Sequence, residues 1–350
     1  MRPVDEAELS DWLRGRAEPA FVRGGGTRGI LPQVGEVVDT AGLSGVRIYE
    51  PGALTLVAGA GTPMAEVEAM LAAERQRLAF EVPDLRGLLG RAGVSTLGGV
   101  VATNASGPRR VQVGACRDQV LGVRFVDGAG VVVKAGGRVM KNVTGLDLTK
   151  LMVGSHGRLG VVTEVAFRVQ AMPEAEATLV GARDLVDGLA ALRAALGSPM
   201  DVSGAACHGG QALLRIEGIA GSVRYRSAAL RARLGGEWDV VEGAASVAIW
   251  AGVRDVMPFA GRVGNVWRVA VKPTEAAALA LGLEAEAMFD WGGGLVWLLA
   301  DPALDVRARV VRGHATLVRG RGQVFHPEAP DVAALSAGIT AKFDPKGIFG

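Results

Sequence analysis

Three consecutive glycines between two arginines, in Arg23-Gly24-Gly25-Gly26-Thr27-Arg28-Gly29, are the residues of this 350-residue chain whose types and spacing speak first for chemistry. They follow Ala20, Phe21 and Val22, an apolar run that reads as a strand. Glycine has no Cβ, so backbone N–H groups in such a loop can approach an anion closely. Arg23 and Arg28 add positive charge on either side. The guest this suits is a diphosphate. Triple glycines also make plain turns. The phosphate reading gains its weight from a second run downstream, Ser95-Thr96-Leu97-Gly98-Gly99-Val100-Val101-Ala102-Thr103-Asn104-Ala105-Ser106-Gly107.

Two common phosphate motifs do not describe the first loop. No Gly-x-x-x-x-Gly-Lys-Ser/Thr occurs, so it is not a P-loop. Gly24-x-Gly26-x-x-Gly29 matches the dinucleotide fingerprint, but that fingerprint opens a helix. Here Gly29 leads into Ile30, Leu31 and Pro32, and proline opposes a helix. Val37, Val38 and Asp39 carry an acid in a strand-like run, without the helix that should precede it. NAD binding is therefore not expected.

With both loops in view, the chain resembles the FAD-binding domain of the vanillyl-alcohol-oxidase superfamily (PCMH type). A third segment is similar to that family's Asp-Leu-x-x-Leu…Gly-Ser-x-Gly-x-Leu-Gly-Val-Val-Thr pattern: Asp147-Leu148 and Leu151, then Gly154-Ser155-His156-Gly157-Arg158-Leu159-Gly160-Val161-Val162-Thr163. Further on, Asn265-Val266-Trp267-Arg268-Val269, Phe289-Asp290-Trp291-Gly292-Gly293, Gly313-His314-Ala315-Thr316-Leu317 and Phe343-Asp344-Pro345-Lys346-Gly347-Ile348-Phe349 resemble the FAD-binding accessory subunit of bacterial glycolate oxidase. The family's tail continues with Asn-Pro-Gly, a last flavin contact, whereas this sequence ends at Gly350.

The resemblance implies a cofactor set residue by residue. Arg23, Gly24, Gly25, Gly26, Thr27 and Arg28 would serve the FAD diphosphate. Thr96, Leu97, Gly98, Gly99, Thr103, Asn104, Ser106 and Gly107 would line the diphosphate and flavin. Gly160, Val161 and Val162 would contact the adenine side, and Pro83 and Asp84 would sit near the flavin. Pro83-Asp84 reads equally well as an exposed turn, and Val161-Val162 as ordinary strand core. Thr27 stands where some relatives carry a flavin-linked histidine. A threonine hydroxyl cannot form that link, so FAD is expected to be noncovalent. Cys116 reads as a buried, inert thiol.

Oxidising a 2-hydroxy acid at a flavin needs a base or metal at the hydroxyl, a cation at the carboxylate and a hydride acceptor. Catalytic relatives carry a histidine-rich metal segment. This chain has only His156, His208, His314 and His326, with no two at metal-motif spacing. Each reads more readily as structural or surface, with His314 in a helix-like segment and His326 near the cofactor. No metal and no catalytic residue is assigned. Arg268 beside Trp267 could bind a carboxylate or pair with a partner or an internal acid. Arg109-Arg110 could face the cofactor or a partner, and reads more readily as a solvated charge pair. The resemblance implies a glycolate oxidase (dehydrogenase) complex taking glycolate to glyoxylate. This chain would be its FAD-binding subunit, beside a catalytic flavoprotein subunit and an iron–sulfur subunit. Two alternatives stand: a self-sufficient FAD-dependent 2-hydroxy-acid dehydrogenase, and a non-catalytic scaffold with a vestigial flavin fold.

The elements that must position these residues are α+β. Residues 5–14 form a helix with Leu9, Trp12 and Leu13 on one face. Strands are expected at 21–23, 34–39 and 54–58. A helix then starts with Thr62 as N-cap and Pro63 at its first position. Residues 122–126 and 131–134 flank Asp127-Gly128-Ala129-Gly130 as a β-hairpin. Beyond 176, helices are expected at 185–196, 225–234, 274–287 and 306–319, and strands at 213–217, 247–250, 266–271 and 294–299. The expected architecture is a two-subdomain PCMH-type FAD-binding domain over 1–172, a smaller α+β cap over 173–325, and a segment over 326–350 that returns to the first domain.

Bulk properties set the outer limits. The chain has 38 basic and 36 acidic residues, a net charge of +2, so nucleic-acid binding has little support. Apolar residues make up 49%, enough for large cores. Glycine numbers 51, close to twice the usual share of about 7%, which fits tight turns and close ligand approach. Cys116 and Cys207 form no Cys-x-x-Cys, so no iron–sulfur or zinc motif is encoded. Two thiols and an N-terminus without a signal-peptide core suit the cytoplasm. No run of about 18 apolar residues is present, so membrane contact is expected only peripherally, through a partner.

Overall fold

The computed structural model describes residues 1–138 and 145–349; Gly350 lies outside them. The chain opens with a helix, Glu6–Arg14, capped by Asp5, whose side chain accepts from the Glu8 N–H. A parallel pair follows, β1 (Ala20–Arg23) and β2 (Glu36–Asp39). Next come β3 (Val46–Glu50), β4 (Thr55–Gly59), β5 (Gln76–Leu78), β6 (Val120–Val126), β7 (Val132–Gly136) and β8 (Val161–Ala171). These six make one antiparallel sheet in the order β3-β4-β8-β6-β7, with β5 on the far end of β8. Leu56, Phe125, Val165 and Phe167 fill its core against the helix Met64–Ala73 and the short helix Leu97–Ala102.

The second half builds an eight-stranded antiparallel sheet. Its strands are β9 (Ala175–Ala182), β10 (Val202–His208), β11 (Gln211–Gly218), β12 (Asp239–Glu242), β13 (Asn265–Val271), β14 (Ala285–Asp290), β15 (Leu295–Ala300) and β16 (Gly313–Arg319). Their order is β12-β9-β11-β10-β14-β15-β13-β16. Strand alternation sends Trp267, Val269, Ala315 and Leu317 into a core under the helices Leu185–Leu196 and Ala220–Leu234. Their neighbours Arg268, Ala270, His314 and Thr316 turn to the other face, where the functional cleft lies.

Buried charge joins the halves. Arg215 on β11 donates to Glu81 at 2.8 and 3.0 Å, and Arg109 donates to Glu217 on the same strand at 3.0 Å from two nitrogens. Arg77 adds a third contact to Glu217 at 2.6 Å. The last residues pack on the first half. Phe343 meets Phe125 with ring centroids 5.9 Å apart, and the Ile348 carbonyl accepts from the Ala20 N–H.

Several expected elements differ. Residues 313–319 are strand β16, not part of a helix: Gly313 at φ +128° bars a helical start, and pairing with β13 decides the rest. Residues 247–250 lie in the helix Gly243–Arg254, where Ser246, Trp250 and Val253 are buried at helical spacing and Val247 is exposed. The 274–287 helix is only Ala276–Leu281, ended at Gly282, before β14 begins. Thr62 does not cap the following helix. Its hydroxyl donates to the Gly59 carbonyl and accepts from the Gly45 N–H, leaving Pro63 at the cap position.

Candidate functional site

The first glycine loop leaves the end of β1 and closes onto residues 93–96 backbone to backbone. A Cβ on Gly24 would lie 2.5 Å from Thr96 Oγ1, and one on Gly25 only 1.4 Å from the Val94 carbonyl oxygen. Gly93, at φ +125°, answers from the other side, where a Cβ would fall 2.2 Å from the Gly25 oxygen. Two of the three glycines thus let the loops meet. Gly26 differs: it sits at φ +70° with nothing near its absent Cβ, so backbone conformation alone demands glycine there.

Between the two loops lies an open cleft. The first loop lines it from Arg23 through Gly29, with Thr96, Gly98, Gly99 and Thr103 opposite and Gly160 and Val162 completing the wall. Thr96 starts the Leu97–Ala102 helix by accepting from the Gly99 N–H at 3.4 Å. Gly98 packs against Ala60, where a Cβ would come within 2.9 Å of the Ala60 side chain. The third motif latches onto the end of that helix. Gly154 and His156 donate their N–H groups to the Val101 and Ala102 carbonyls. Gly157, at φ +78°, comes close to Val22.

A second cleft shares Arg28, Ile30, Thr103 and His156 with the first. Pro83, Asn104, Ser106 and Arg110 line it from the first half. Arg268, Trp291, Trp297, His314 and Thr316 line it from the eight-stranded sheet. Arg268 and Thr316 face each other across the β13–β16 pair, and Arg268 and Trp297 across β13–β15.

Electrostatics single out a few groups. Arg28 is 6% exposed; it donates to Ser95 Oγ and to the Pro83 carbonyl, both at 2.8 Å, while its Nε has no partner. Burial lowers its pKa to about 10. Burial, with repulsion from Arg110, likewise brings Arg268 down to about 10. Burial lifts the Asp290 carboxyl to about 7 although it accepts from the Trp291 N–H. His156 is pushed down to about 4 by burial, with Arg158 adding to it, so its imidazole is neutral at pH 7; its ring meets Phe325 edge-on.

The residues predicted from sequence divide accordingly. Arg23 to Arg28, Thr96, Gly98, Gly99, Thr103, Gly160 and Val162 border the first cleft; Pro83, Asn104 and Ser106 border the second. The side chains of Leu97 and Val161 are buried in cores, which leaves the backbone contact expected of Val161 open. Asp84 turns away to Arg86 and accepts the Arg86 N–H, and its own N–H donates to Asp255. Gly107 is a joint, donating to the Glu81 carbonyl and accepting from the Trp291 indole. Arg109-Arg110 is not a solvated pair: Arg109 is ion-paired with Glu217, and Arg110 stacks on Trp291. Sequence reasoning missed Trp291, Trp297, His314 and Phe325 as lining residues. The usable signal was polar and apolar alternation in 313–318. Cys116 is fully buried, and burial raises its thiol pKa.

The groups present fit a long anionic cofactor: a glycine-walled cleft and a buried arginine with an unpartnered nitrogen and, among the described residues, no acid bonded to it. Among the described residues no cluster of His, Cys, Asp and Glu could hold a metal, and no helix is long and apolar enough to cross a membrane.

Comparison with known proteins agrees with this geometry. Residues 1–136 match the family described as FAD binding domain. Glycolate oxidase subunit GlcE of Escherichia coli (strain K12) is 35% identical over 338 residues, covering 95% of this chain and 91% of that subunit. Glycolate oxidase subunit GlcD of Bacillus subtilis (strain 168) is 39% identical over 97 residues, 28% of this chain and 21% of that subunit. A solved structure of alkyldihydroxyacetonephosphate synthase superposes with a TM-score of 0.70 at 14% identity, covering all of this chain and 76% of that one, which shows a shared fold.

Proposed function

Because the chain belongs to the family of glycolate oxidase subunit GlcE, we propose that its two facing glycine loops are where it holds its cofactor. The chain is the FAD-binding subunit of a glycolate oxidase, an FAD-dependent oxidoreductase acting on CH–OH groups. It works within a multi-subunit complex. FAD, when bound, supplies the hydride acceptor for oxidising glycolate to glyoxylate.

The chain's own residues would do the holding. Backbone N–H groups of Gly24 to Gly26 and of the Leu97–Ala102 helix start would meet the diphosphate, with Arg23 and Arg28 neutralising charge. Gly160 and Val162 would border the adenine end, and Pro83, Asn104 and Ser106 the flavin end. Thr27, 3% exposed, leaves the cofactor noncovalent. On this reading residues 1–172 form the FAD-binding domain, 173–325 the cap, and 326–350 the returning segment. The neutral His156 and the half-buried arginines offer no strong base, which favours dependence on a catalytic flavoprotein subunit and an iron–sulfur subunit. The complex would be cytoplasmic, with any membrane contact made through those partners.

The observation that carries this reading is the closure of the two glycine loops around one cleft. An absorption spectrum of the purified chain, followed by glycolate addition without air, tests it. A yellow protein that stays oxidised until partner subunits are added is expected. Bleaching by glycolate alone would favour a self-sufficient dehydrogenase. A chain that gains no flavin spectrum when supplied with FAD would leave the scaffold alternative.

A further inference from the structure

The helix Pro330–Phe343 turns its apolar residues to water. None of its residues is buried. Leu335 is 70% exposed, Val332 46% and Ile339 39%. They stand three and four positions apart, so they form one stripe along the helix. The half-buried positions are Ser336, Thr340 and Phe343. A surface helix normally does the reverse, with its apolar stripe on the core and polar groups outside. Ala333, Ala334, Ala337 and Ala341 are exposed as well, and Asp331 and Lys342 are the helix's only charges. Single exposed apolar side chains are ordinary. A whole helix without a packed face is not, because packing supplies most of the stability of short helices in proteins.

Its place in the fold matters too. It starts just after Phe325, which lines the second cleft, and His326, whose Nδ1 accepts from the Ala315 N–H on β16. It ends at Phe343, whose ring packs on Phe125 of the first half. A protein seated on its first turns would stand close to that cleft.

We propose that this helix is the handle by which the chain is held in its complex, received in an apolar, uncharged groove of the catalytic flavoprotein subunit. The identity of that companion rests on the reading of the chain as a glycolate oxidase subunit. Area argues against a second copy of this chain in its place. At about 1.5 Å per residue the helix is about 21 Å long and about 10 Å across, so one face offers about 200 Å². A stable interface needs about 800 Å² from each partner, so two copies joined by this stripe fall far short. A groove can wrap more than half the circumference and cover about two to three times as much of the helix. Leu335 and Ile339 on one side and Ala334, Ala337 and Ala341 on the other suit such a groove, in the manner of a helix laid into an apolar cleft.

The test mixes the FAD-loaded chain with the purified catalytic flavoprotein subunit of the same complex. Sedimentation gives the stoichiometry and interferometry the affinity. Leu335→Glu and the double variant Leu335→Glu/Ile339→Glu should each weaken binding by at least about tenfold, because they carry a charge into an apolar groove. In the free chain both should keep the parent's melting temperature and flavin spectrum, since neither position is buried. Leu335→Met keeps the apolar contact and should bind as the parent does. So should Val263→Glu, at a loop position 95% exposed. Glutamate variants that bind the flavoprotein subunit as the parent does overturn the proposal and leave the complex reading standing. A free chain that sediments as a dimer, which Leu335→Glu dissociates, also overturns it by seating a second copy on the helix. Loss of the iron–sulfur subunit alone, with the flavoprotein subunit retained, overturns it as well. A FAD-loaded parent that binds neither subunit overturns the reading of the chain as a subunit of that complex, and this proposal with it.

Discussion

Replacing Gly25 by alanine puts the loop-closure argument at risk most directly. The new Cβ would lie 1.4 Å from the Val94 carbonyl oxygen and 2.5 Å from its carbon, both backbone atoms that no rotamer change can move. The loops must separate, and overpacking of this kind costs about 1–3 kcal/mol or somewhat more. If the cofactor binds only the closed arrangement, the apparent Kd rises by the factor by which closure becomes rarer. At 1.4 kcal/mol per decade, the expected weakening is about tenfold to a hundredfold. Gly26→Ala is the matched control. It meets nothing within 4 Å, but its φ of +70° imposes about 1–2 kcal/mol of backbone strain. That strain can relax locally without opening the loops, so its effect on FAD should be several-fold smaller. The assay is titration of apoprotein with FAD, followed by flavin fluorescence, alongside thermal unfolding of both apo variants. A Gly25→Ala chain that binds FAD like the parent, or a Gly26→Ala chain that binds worse than Gly25→Ala, would refute the reasoning.

Glu217→Ala should cost about 3–5 kcal/mol in chemical denaturation, because it leaves Arg77 without its acid and Arg109 with only Glu81, 3.6 Å away. Burial alone would raise the Glu217 carboxyl, but Arg215, Arg109 and Arg77 outweigh it and hold it well below 4.5. Its stabilisation is therefore complete above the ordinary carboxylate range and is lost as pH falls below 4.5; parent and variant unfolding curves should converge on acidification. Asp290 runs the opposite way. Its folded value near 7 exceeds the ordinary 3.8, so the folded chain holds the extra proton between them and loses stability as pH rises through that window. Glu81 reinforces the upward shift, while Arg215 and Arg268 oppose it. Asp290→Asn should flatten that slope, and an unchanged slope would remove Asp290 as its source. Acid precipitation of the holoprotein should release all flavin into the supernatant, since Thr27 offers no histidyl link; yellow colour retained in the pellet would count against noncovalent binding.

Legibility from sequence followed the range of the forces involved. The glycine loops were readable because a missing Cβ is a local property, and Gly24, Gly26, Gly98 and Gly99 do border one cleft. What those glycines accommodate was not readable, since Val94 and Ala60 come close only through tertiary packing. His314 was misplaced for the same reason. Its segment holds Val306 to Arg319 at spacings compatible with a helix, and only the neighbouring β13 makes it a strand. Arg109 and Arg110 are adjacent in sequence, yet one completes an ion pair with β11 and the other stacks on Trp291. Nothing in a two-residue charge run separates those fates.

That divergence is itself a physical criterion for sorting the buried arginines. Arg77, Arg109 and Arg215 each face a carboxylate within hydrogen-bonding distance, so their desolvation is offset inside the chain, and their role is to join two halves. Arg28, Arg110 and Arg268 also leave bulk water, but among the described residues no carboxylate bonds to them, and all three border the two connected clefts. An uncompensated buried cation is unfavourable for the chain by itself. It becomes favourable when the counter-charge arrives with a ligand, which is the differential interaction that binding requires. Arg28 sits where the two clefts meet, with one nitrogen still unpartnered. The free chain should accordingly be less stable than the loaded one by an amount that Arg28→Met diminishes, because the variant removes both the cation's cost in the empty state and its attraction in the filled one. A melting shift on FAD binding that is as large in Arg28→Met as in the parent would show that its charge is compensated in some other way.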